Sequence, residues 1–245
     1  LSTWRKYVIS SLWRISGTPV VIHSHSSEYM KFLPSLPFPL RKIAERFLIK
    51  SDGLVVLSKS WKEFYVENCK VNEDRIFILE NPVEPAKNDK DLEDLVLFSG
   101  RIGERKGAFR LLHAWSELDA ETRDGWRLVL TGDGEVEKAK ALSKSLLISD
   151  SVSIPGWVDS ETMSDLMETC KIFVLPSKNE GLPISLLRAM STRTAVITSP
   201  VGGIPEVVID GNNGILVNPE DIESISTSLS KLIKDKELRD GLSKN

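Results

Sequence analysis

The stretch "KIFVLPSKNEGLPISLLRAM", residues 171–190, contains the unit from which the fold is built. Its first residues are apolar and rich in β-branched side chains, which is typical of a buried strand, and its last residues have the apolar spacing of an amphipathic helix. Between them lie Glu180, a glycine and Pro183, whose missing N–H costs little at the start of a helix. A strand that turns into a helix in this way is the repeating unit of an α/β protein.

The same rhythm recurs along the chain. Strands are predicted at 20–22, 54–57, 76–79, 95–98, 128–130, 152–154, 172–175, 195–198 and 215–217. Helices are predicted at 1–16, 39–49, 59–68, 108–118, 135–147, 161–170, 183–190 and 220–234. Alternating strands and helices indicate parallel sheets covered by helices on both faces.

A polar segment without periodicity, residues 81–94, is typical of a linker. We therefore predict two Rossmann-like domains, a partial N-terminal domain at 1–90 and a C-terminal domain at 91–245. The chain has no initial Met and opens within a helical pattern, so we interpret it as a piece of a longer protein.

Composition narrows the class of protein. The 32 basic and 35 acidic residues nearly balance, which argues against a nucleic-acid partner. Two cysteines in 245 residues indicate a reducing cytoplasm rather than a disulfide framework. No apolar run reaches the roughly 18 residues of a membrane span.

Ligands of open parallel sheets bind beyond the carboxyl ends of strands, and three such ends carry unusual residues. In "SGRIGERKG", residues 99–107, Arg101 and Lys106 flank a turn that opens a helix, so cations and helix amides can hold a diphosphate. The alternative is a basic surface loop that Glu104 partly neutralises. The loop is neither a Walker loop nor a dinucleotide fingerprint, which disfavours a kinase or a dehydrogenase.

The second end carries Glu180, whose carboxylate can accept hydrogen bonds from a polyhydroxylated ligand while the N–H groups of Gly181 and Leu182 face a phosphate. The alternative is an acid that caps a helix. The third end is "SPVGGIPEVV", residues 199–208, whose paired glycines allow close backbone approach or form a plain turn.

His23 and His25 follow the first strand, and their spacing places both imidazoles on one face. They can bind a metal, exchange protons or donate to a phosphate, and a structural role is the alternative. No third ligand is apparent, so no metal site is predicted. Asp89 and Asp91 spell an Asp-x-Asp pattern in the linker, which we interpret as a solvated charge cluster.

Taken together, these stretches resemble the retaining glycosyltransferases of the GT-B fold, family four (glycosyl transferases group 1). The matching segments occur in the family's order. They are "HSHS" (23–26), "SDGLVVLSKSWKE" (51–63), "NPVE" (81–84), "FSGRIGERKG" (98–107), "LVLTGDGEVE" (128–137), "VSIPGWV" (152–158), "PSKNEGLPISLLRAM" (176–190) and "VGGIPEVVIDGNNGILV" (201–217).

The resemblance implies a role for each matching residue. Arg101 and Lys106 would hold the donor diphosphate, and Glu180 would bind the hydroxyls of the transferred sugar. His25, with His23 as the alternative, would face the reacting centre. The remaining implied donor contacts are Trp157 and Val158 near the base, Gly181, Leu182, Pro183 and Ile184 near phosphate and sugar, and Arg188.

The resemblance also implies the reaction. A hexose would pass, with retention, from a nucleotide-diphosphate-sugar to a glycan or lipid-linked acceptor in polysaccharide or glycoconjugate biosynthesis, in the cytoplasm and without metal or cofactor. The alternatives are a catalytically weak homologue that serves as a binding subunit and a nucleotide-sugar epimerase of the same fold.

Two features depart from a simple match. The family has Glu-x7-Glu, and its second Glu binds the donor ribose; Arg188 stands there, and a guanidinium accepts no hydrogen bond. We expect Arg188 to reach the donor phosphates or to turn to solvent. The opening "LSTWRKYVISSLWR" is either a helix that contacts a membrane surface or one whose apolar stripe packs on a core, which we favour.

Overall fold

The computed structural model describes residues 2–25, 27–84 and 90–244, with the side chains of residues 2–4 excepted. The chain forms two compact units. The first consists of Leu1–Asn81 together with Glu180–Leu182, and the second of Pro82–Asn179 and Pro183–Asn245. The chain thus leaves the first unit within the predicted linker and returns to it for three residues.

In its described residues, the first unit is a three-stranded parallel sheet with four helices. Its elements are α1 (Ser2–Ile15), β1 (Val21–His23), α2 (Tyr29–Ser35), α3 (Phe38–Ile49), β2 (Gly53–Val56), α4 (Lys59–Cys69) and β3 (Ile76–Ile78). The strand order is β1-β2-β3, and a core that includes Leu54, Val56 and Tyr65 packs against the sheet. Helix α2 was not predicted, because a proline such as Pro34 in its last turn normally indicates that a helix is interrupted.

The second unit is a six-stranded parallel sheet with seven helices among its described residues. Its elements are β4 (Glu93–Ser99), α5 (Ala108–Glu117), α6 (Ala120–Arg123), β5 (Arg127–Thr131), α7 (Val136–Ser145), β6 (Val152–Gly156), α8 (Ser160–Thr169), β7 (Cys170–Leu175), α9 (Ile184–Ser191), β8 (Ala195–Thr198), β9 (Ile215–Leu216), α10 (Ile222–Lys234) and α11 (Lys236–Lys244). The helices bury a core in which Trp115 is fully inaccessible to solvent.

The strand order β6-β5-β4-β7-β8-β9 has one reversal. From β4 the chain builds outward through β5 to β6, then returns to the other side of β4 and builds outward through β7 and β8 to β9. The gap between β4 and β7 is therefore the topological switch point, where ligands of such sheets bind. Residues 95–98 and 172–175 are fully buried, which explains why these central strands are continuously apolar.

These observations confirm the predicted α/β class with parallel sheets. Each predicted strand is present, and most predicted helix ends differ from the observed ends by one or two residues. Asp159 caps α8, since its Oδ1 accepts a hydrogen bond from the N–H of Thr162 at 2.8 Å. Pro183 is the cap residue of α9 rather than a residue of its first turn.

The prediction that the apolar stripe of α1 packs on a core is wrong for Leu12 and Trp13, which are 63% and 57% exposed. Among residues 5–15 of α1, Ser10 alone is buried. Within the described residues, no helix is both long enough and apolar enough to cross a membrane.

Candidate functional site

The carboxyl ends of β4 and β7 lie side by side, because Val96 pairs with Ile172 and Leu97 with Phe173. The loops that follow these strands are joined by hydrogen bonds. The N–H of Lys178 donates to the carbonyl of Arg105 at 2.9 Å, and Nη1 of Arg105 donates to the carbonyl of Asn179 at 3.3 Å. The predicted diphosphate loop therefore packs against the segment that leads directly into Glu180.

Gly107 makes this contact possible. It has a φ of 81°, which favours glycine, and a Cβ placed there would lie 2.2 Å from the carbonyl oxygen of Pro176. The preceding turn, Glu104–Lys106, carries the predicted phosphate ligand Lys106. The methylenes of Lys106 pass over the end of β4, since a Cβ on Gly100 would lie 3.7 Å from its Cδ and Cε.

Arg101 is the more exposed cation of this loop. Its side chain is 66% exposed, and its Nη1 lies 3.6 Å from Oδ2 of Asp133 in the loop after β5. An exposed pair of this kind contributes little, so the guanidinium can turn to a phosphate at small cost. Glu104 is hydrogen-bonded to Arg110. Nη1 of Arg110 donates to Oε2 of Glu104 at 3.2 Å, and Nη2 donates to the backbone carbonyl of Glu104 at 2.8 Å.

Glu180 is buried, with only 4% of its surface exposed, and belongs to the first unit together with Gly181 and Leu182. A Cβ on Gly181 would lie 3.2 Å from Cδ1 of Leu57 and 3.6 Å from the carbonyl oxygen of His25. The segment that carries one predicted catalytic residue, Glu180, is thus packed on the backbone of the other, His25.

His23 and His25 lie on one face, as the sequence predicts, with ring centroids 3.9 Å apart. Burial lowers the pKa of His23, and repulsion by His25 lowers that pKa further. His23 therefore takes up a proton less readily than a free imidazole. Across residues 2–25, 27–84 and 90–244, His, Cys, Asp and Glu side chains nowhere gather in threes that could hold a metal ion.

The remaining predicted donor contacts lie at the same edge of the second sheet. Trp157 is 75% exposed and Val158 half-buried just after β6, which β5 separates from β4. Two strand spacings, roughly 10 Å, therefore separate β6 from β4. Ile184 is the first residue of α9 and is 56% exposed, whereas Pro183 before it is buried.

The third strand end, after β8, is joined to the second. The hydroxyl of Ser199 donates to the carbonyl of Ser177 at 2.6 Å, and both residues are fully buried. Gly202 has a φ of 59°, so the predicted glycine turn uses the left-handed conformation. In the predicted linker cluster, Asp91 is exposed and Lys90 pairs with Asp165, while Asp89 lies outside the described residues.

Arg188 is half-buried and does not turn to solvent. Its Nη2 donates to the hydroxyl of Ser164 on α8 at 2.7 Å, and that hydroxyl donates to Oε1 of Glu168 at 3.0 Å. No sequence pattern predicts this bond, because Ser164 lies 24 residues away on another helix. A donor contact by Arg188 stays a prediction.

We expect Arg188→Glu to destabilise the second unit rather than to restore a ribose site. The new carboxylate would stand near Glu168, whose side chain is only 14% exposed, and like charges there should cost about 1 kcal/mol, or about 3 °C in melting temperature. Thermal unfolding of Arg188→Glu, Glu168→Gln and the double variant measures the effect. Glu168→Gln should cancel most of the loss, and strictly additive changes would contradict this explanation.

The comparisons with known proteins agree with this architecture. HepE of Anabaena, solved in complex with UDP and glucose, superposes with a TM-score of 0.83 at 16% identity over 98% of this chain and 69% of that chain. WaaG, a glycosyltransferase involved in lipopolysaccharide biosynthesis, gives a TM-score of 0.77 at 20% identity over 91% of this chain and 68% of that chain. The fold is therefore that of the GT-B glycosyltransferases.

The model of the family "Glycosyl transferases group 1" matches residues 80–245, and the chain belongs to this family. Alpha-D-kanosaminyltransferase of Streptomyces kanamyceticus is 27% identical over 95% of this chain and 66% of its own length. An alpha-1,4-N-acetyl-D-galactosaminyltransferase of Campylobacter jejuni, whose name specifies a PP-undecaprenol-linked acceptor, is 30% identical over 93% of this chain and 62% of its own length. The chain thus spans less than two thirds of the length of these relatives.

Proposed function

We propose that this chain carries the donor site of a glycosyltransferase that moves a hexose, with retention, from a nucleotide-diphosphate-sugar to a glycan or lipid-linked acceptor. The observation that carries the proposal is the joined pair of loops at the β4–β7 switch point, where Gly107 lies on Pro176 and Arg105 binds Asn179. This arrangement brings the cationic loop to the strand end that continues into Glu180.

The chemistry that such a site supplies is charge stabilisation. When the bond between the anomeric carbon and the diphosphate breaks, the electron pair leaves with the diphosphate oxygen. Lys106 and Arg101, together with the amides at the start of α9, are suited to stabilise that charge, and preorganised cations of this kind act without a metal. We propose that the transfer requires neither a metal ion nor a cofactor.

Glu180 and His25 are proposed to act on the sugar. A buried carboxylate accepts hydrogen bonds from two hydroxyls and so fixes the ring, while the exposed imidazole of His25 donates a hydrogen bond to the sugar. The acceptor hydroxyl would attack the face that the diphosphate leaves and pass its proton to the departing oxygen. Retention follows from attack on that face.

The experiment that tests the donor site is a thermal-shift titration with UDP, GDP, ADP and their sugar conjugates. A nucleotide at 100 times its dissociation constant stabilises the native state by about 2.7 kcal/mol, which is about 7 °C for a domain of this size. Lys106→Ala should remove most of the shift. The matched control is Lys140→Ala on α7, which removes a surface cation paired with Glu137.

If none of these nucleotides raises the melting temperature, or if both lysine variants respond equally, the donor site is not where we place it. The two alternative functions predict other results. A binding subunit would bind its partner whether or not a donor is present, and an epimerase would convert the donor when no acceptor is present.

The acceptor and the site of action complete the proposal. We place the reaction in the cytoplasm, where the buried thiols of Cys69 and Cys170 stay reduced. Helix α1 exposes apolar side chains, Trp13 among them, beside exposed Arg5 and Lys6, a combination suited to anionic lipid surfaces. Sedimentation with phosphatidylglycerol vesicles, set against phosphatidylcholine vesicles, tests a membrane contact through this helix.

A further inference from the structure

One hydrogen bond in the first unit joins residues that are 101 positions apart. The side-chain amide of Asn81 donates through Nδ2 to the carbonyl oxygen of Leu182 at 2.7 Å. Asn81 is the last residue of the long stretch of the first unit, and Leu182 is the last residue of the short segment Glu180–Leu182 that completes it. The bond therefore connects the two points at which the chain passes from the first unit into the second.

The carbonyl of Leu182 needs this donor. Leu182 is only 3% exposed, and a buried carbonyl without a partner is costly. The helix that follows does not supply one, because the N–H groups of Leu186 and Leu187 both donate to Pro183. Asn81 thus fills a role that the local backbone leaves open.

The other end of the segment is held as well. The carbonyl of Asn179, directly before Glu180, accepts the hydrogen bond from Arg105 at 3.3 Å. In the middle, Gly181 lies so close to Leu57 that a Cβ would stand 3.2 Å from its Cδ1, while the carbonyl oxygen of His25 would be at the ordinary contact distance of 3.6 Å. Glu180 therefore stands in a three-residue segment that is anchored on each side, and Asn81 is the anchor on its C-terminal side.

We propose that Asn81 is a positioning residue, which holds Glu180–Leu182 in place on the first unit and so fixes the carboxylate of Glu180. The residue touches no substrate in this scheme and acts through the carbonyl of Leu182. The consequence for sugar transfer rests on the proposed function, whereas the anchoring of the segment does not.

The test combines hydrogen–deuterium exchange with kinetics on Asn81→Asp and Asn81→Ala in the full chain. Aspartate keeps the shape but cannot donate, so exchange of the Gly181 and Leu182 amides should rise about tenfold. With a nucleotide-sugar that the wild type uses, kcat should fall about tenfold while KM changes less than threefold, since orientation rather than affinity is lost. The matched control is Asn68→Asp, because Asn68 donates the same kind of bond to the carbonyl of Phe64 on an exposed helix face.

Each outcome decides the inference. Unchanged exchange at Gly181 and Leu182 in both Asn81 variants overturns it, and so does an equal rise in Asn68→Asp. Loss of the native fold in both Asn81 variants, with Asn68→Asp folded, also overturns it, because the role would then be global stability. A local rise in exchange without transfer from any nucleotide-sugar by the wild type supports the anchoring and contradicts the proposed function instead.

Discussion

Gly107→Ala is expected to lower the melting temperature by about 10 °C, which corresponds to about 3 kcal/mol for a domain of this size. Two effects combine. Gly107 has a φ of 81°, where a residue with a Cβ pays about 1 kcal/mol. The added methyl would also lie 2.2 Å from the carbonyl oxygen of Pro176, so the loop must move away from the end of β7, at a cost of about 2 kcal/mol.

The chain offers a control that separates these two effects. Gly125 has a φ of 75°, but a Cβ there would meet no atom within 4 Å. Gly125→Ala should therefore show only the backbone cost, about 1 kcal/mol. Thermal and urea unfolding of both variants measure the difference. Equal losses in the two variants would mean that the contact between Gly107 and Pro176 contributes nothing to stability.

The same variant tests the site. Because Lys106 directly precedes Gly107, displacement of the loop should weaken nucleotide binding by Gly107→Ala. This weakening should be measurable at temperatures well below the melting temperature, where the variant is folded. Gly125→Ala should bind as the wild type does. If the destabilised Gly107→Ala protein binds the nucleotide as tightly as the wild type, the contact between Gly107 and Pro176 is not needed for the donor site.

Glu180→Gln is expected to reduce kcat/KM for sugar transfer about 100-fold, because the amide keeps one neutral acceptor oxygen in place of two charged ones. One charge-assisted hydrogen bond to a sugar hydroxyl becomes neutral and the other is lost, with a combined loss of about 3 kcal/mol. Glutamine has the same shape, so the buried position, 4% exposed, should tolerate it without unfolding. Affinity for the nucleoside diphosphate without its sugar should change little, since the acid is proposed to bind the sugar.

The comparison of ligands makes this prediction specific. Isothermal titration with the nucleoside diphosphate and with the corresponding nucleotide-sugar should show the difference only for the second ligand. Glu161→Gln serves as the control, because Glu161 is an exposed acid in the first turn of α8. A Glu180→Gln enzyme with undiminished transfer would remove Glu180 from the sugar site.

The sequence made most of the fold predictable, because apolar periodicity is a local property. Strands β4 and β7 are fully buried at 95–98 and 172–175, and continuous apolar runs mark such strands directly. The strand-end loops were predictable for the same reason, since glycine and charged residues follow those runs. Helix α2 was not predicted, because the segment is short and contains a proline.

The sequence by itself determined the α/β class, the parallel strands, the loop of Arg101 and Lys106, and the position of Glu180 at a strand end. Only the tertiary structure decided that Arg188 binds Ser164, that Gly107 lies on Pro176, and that Asn81 holds Leu182. The physical reason is the range of each effect. Burial patterns and turn chemistry repeat within a few residues, whereas a hydrogen bond or a close approach depends on which distant segments the packed core brings together.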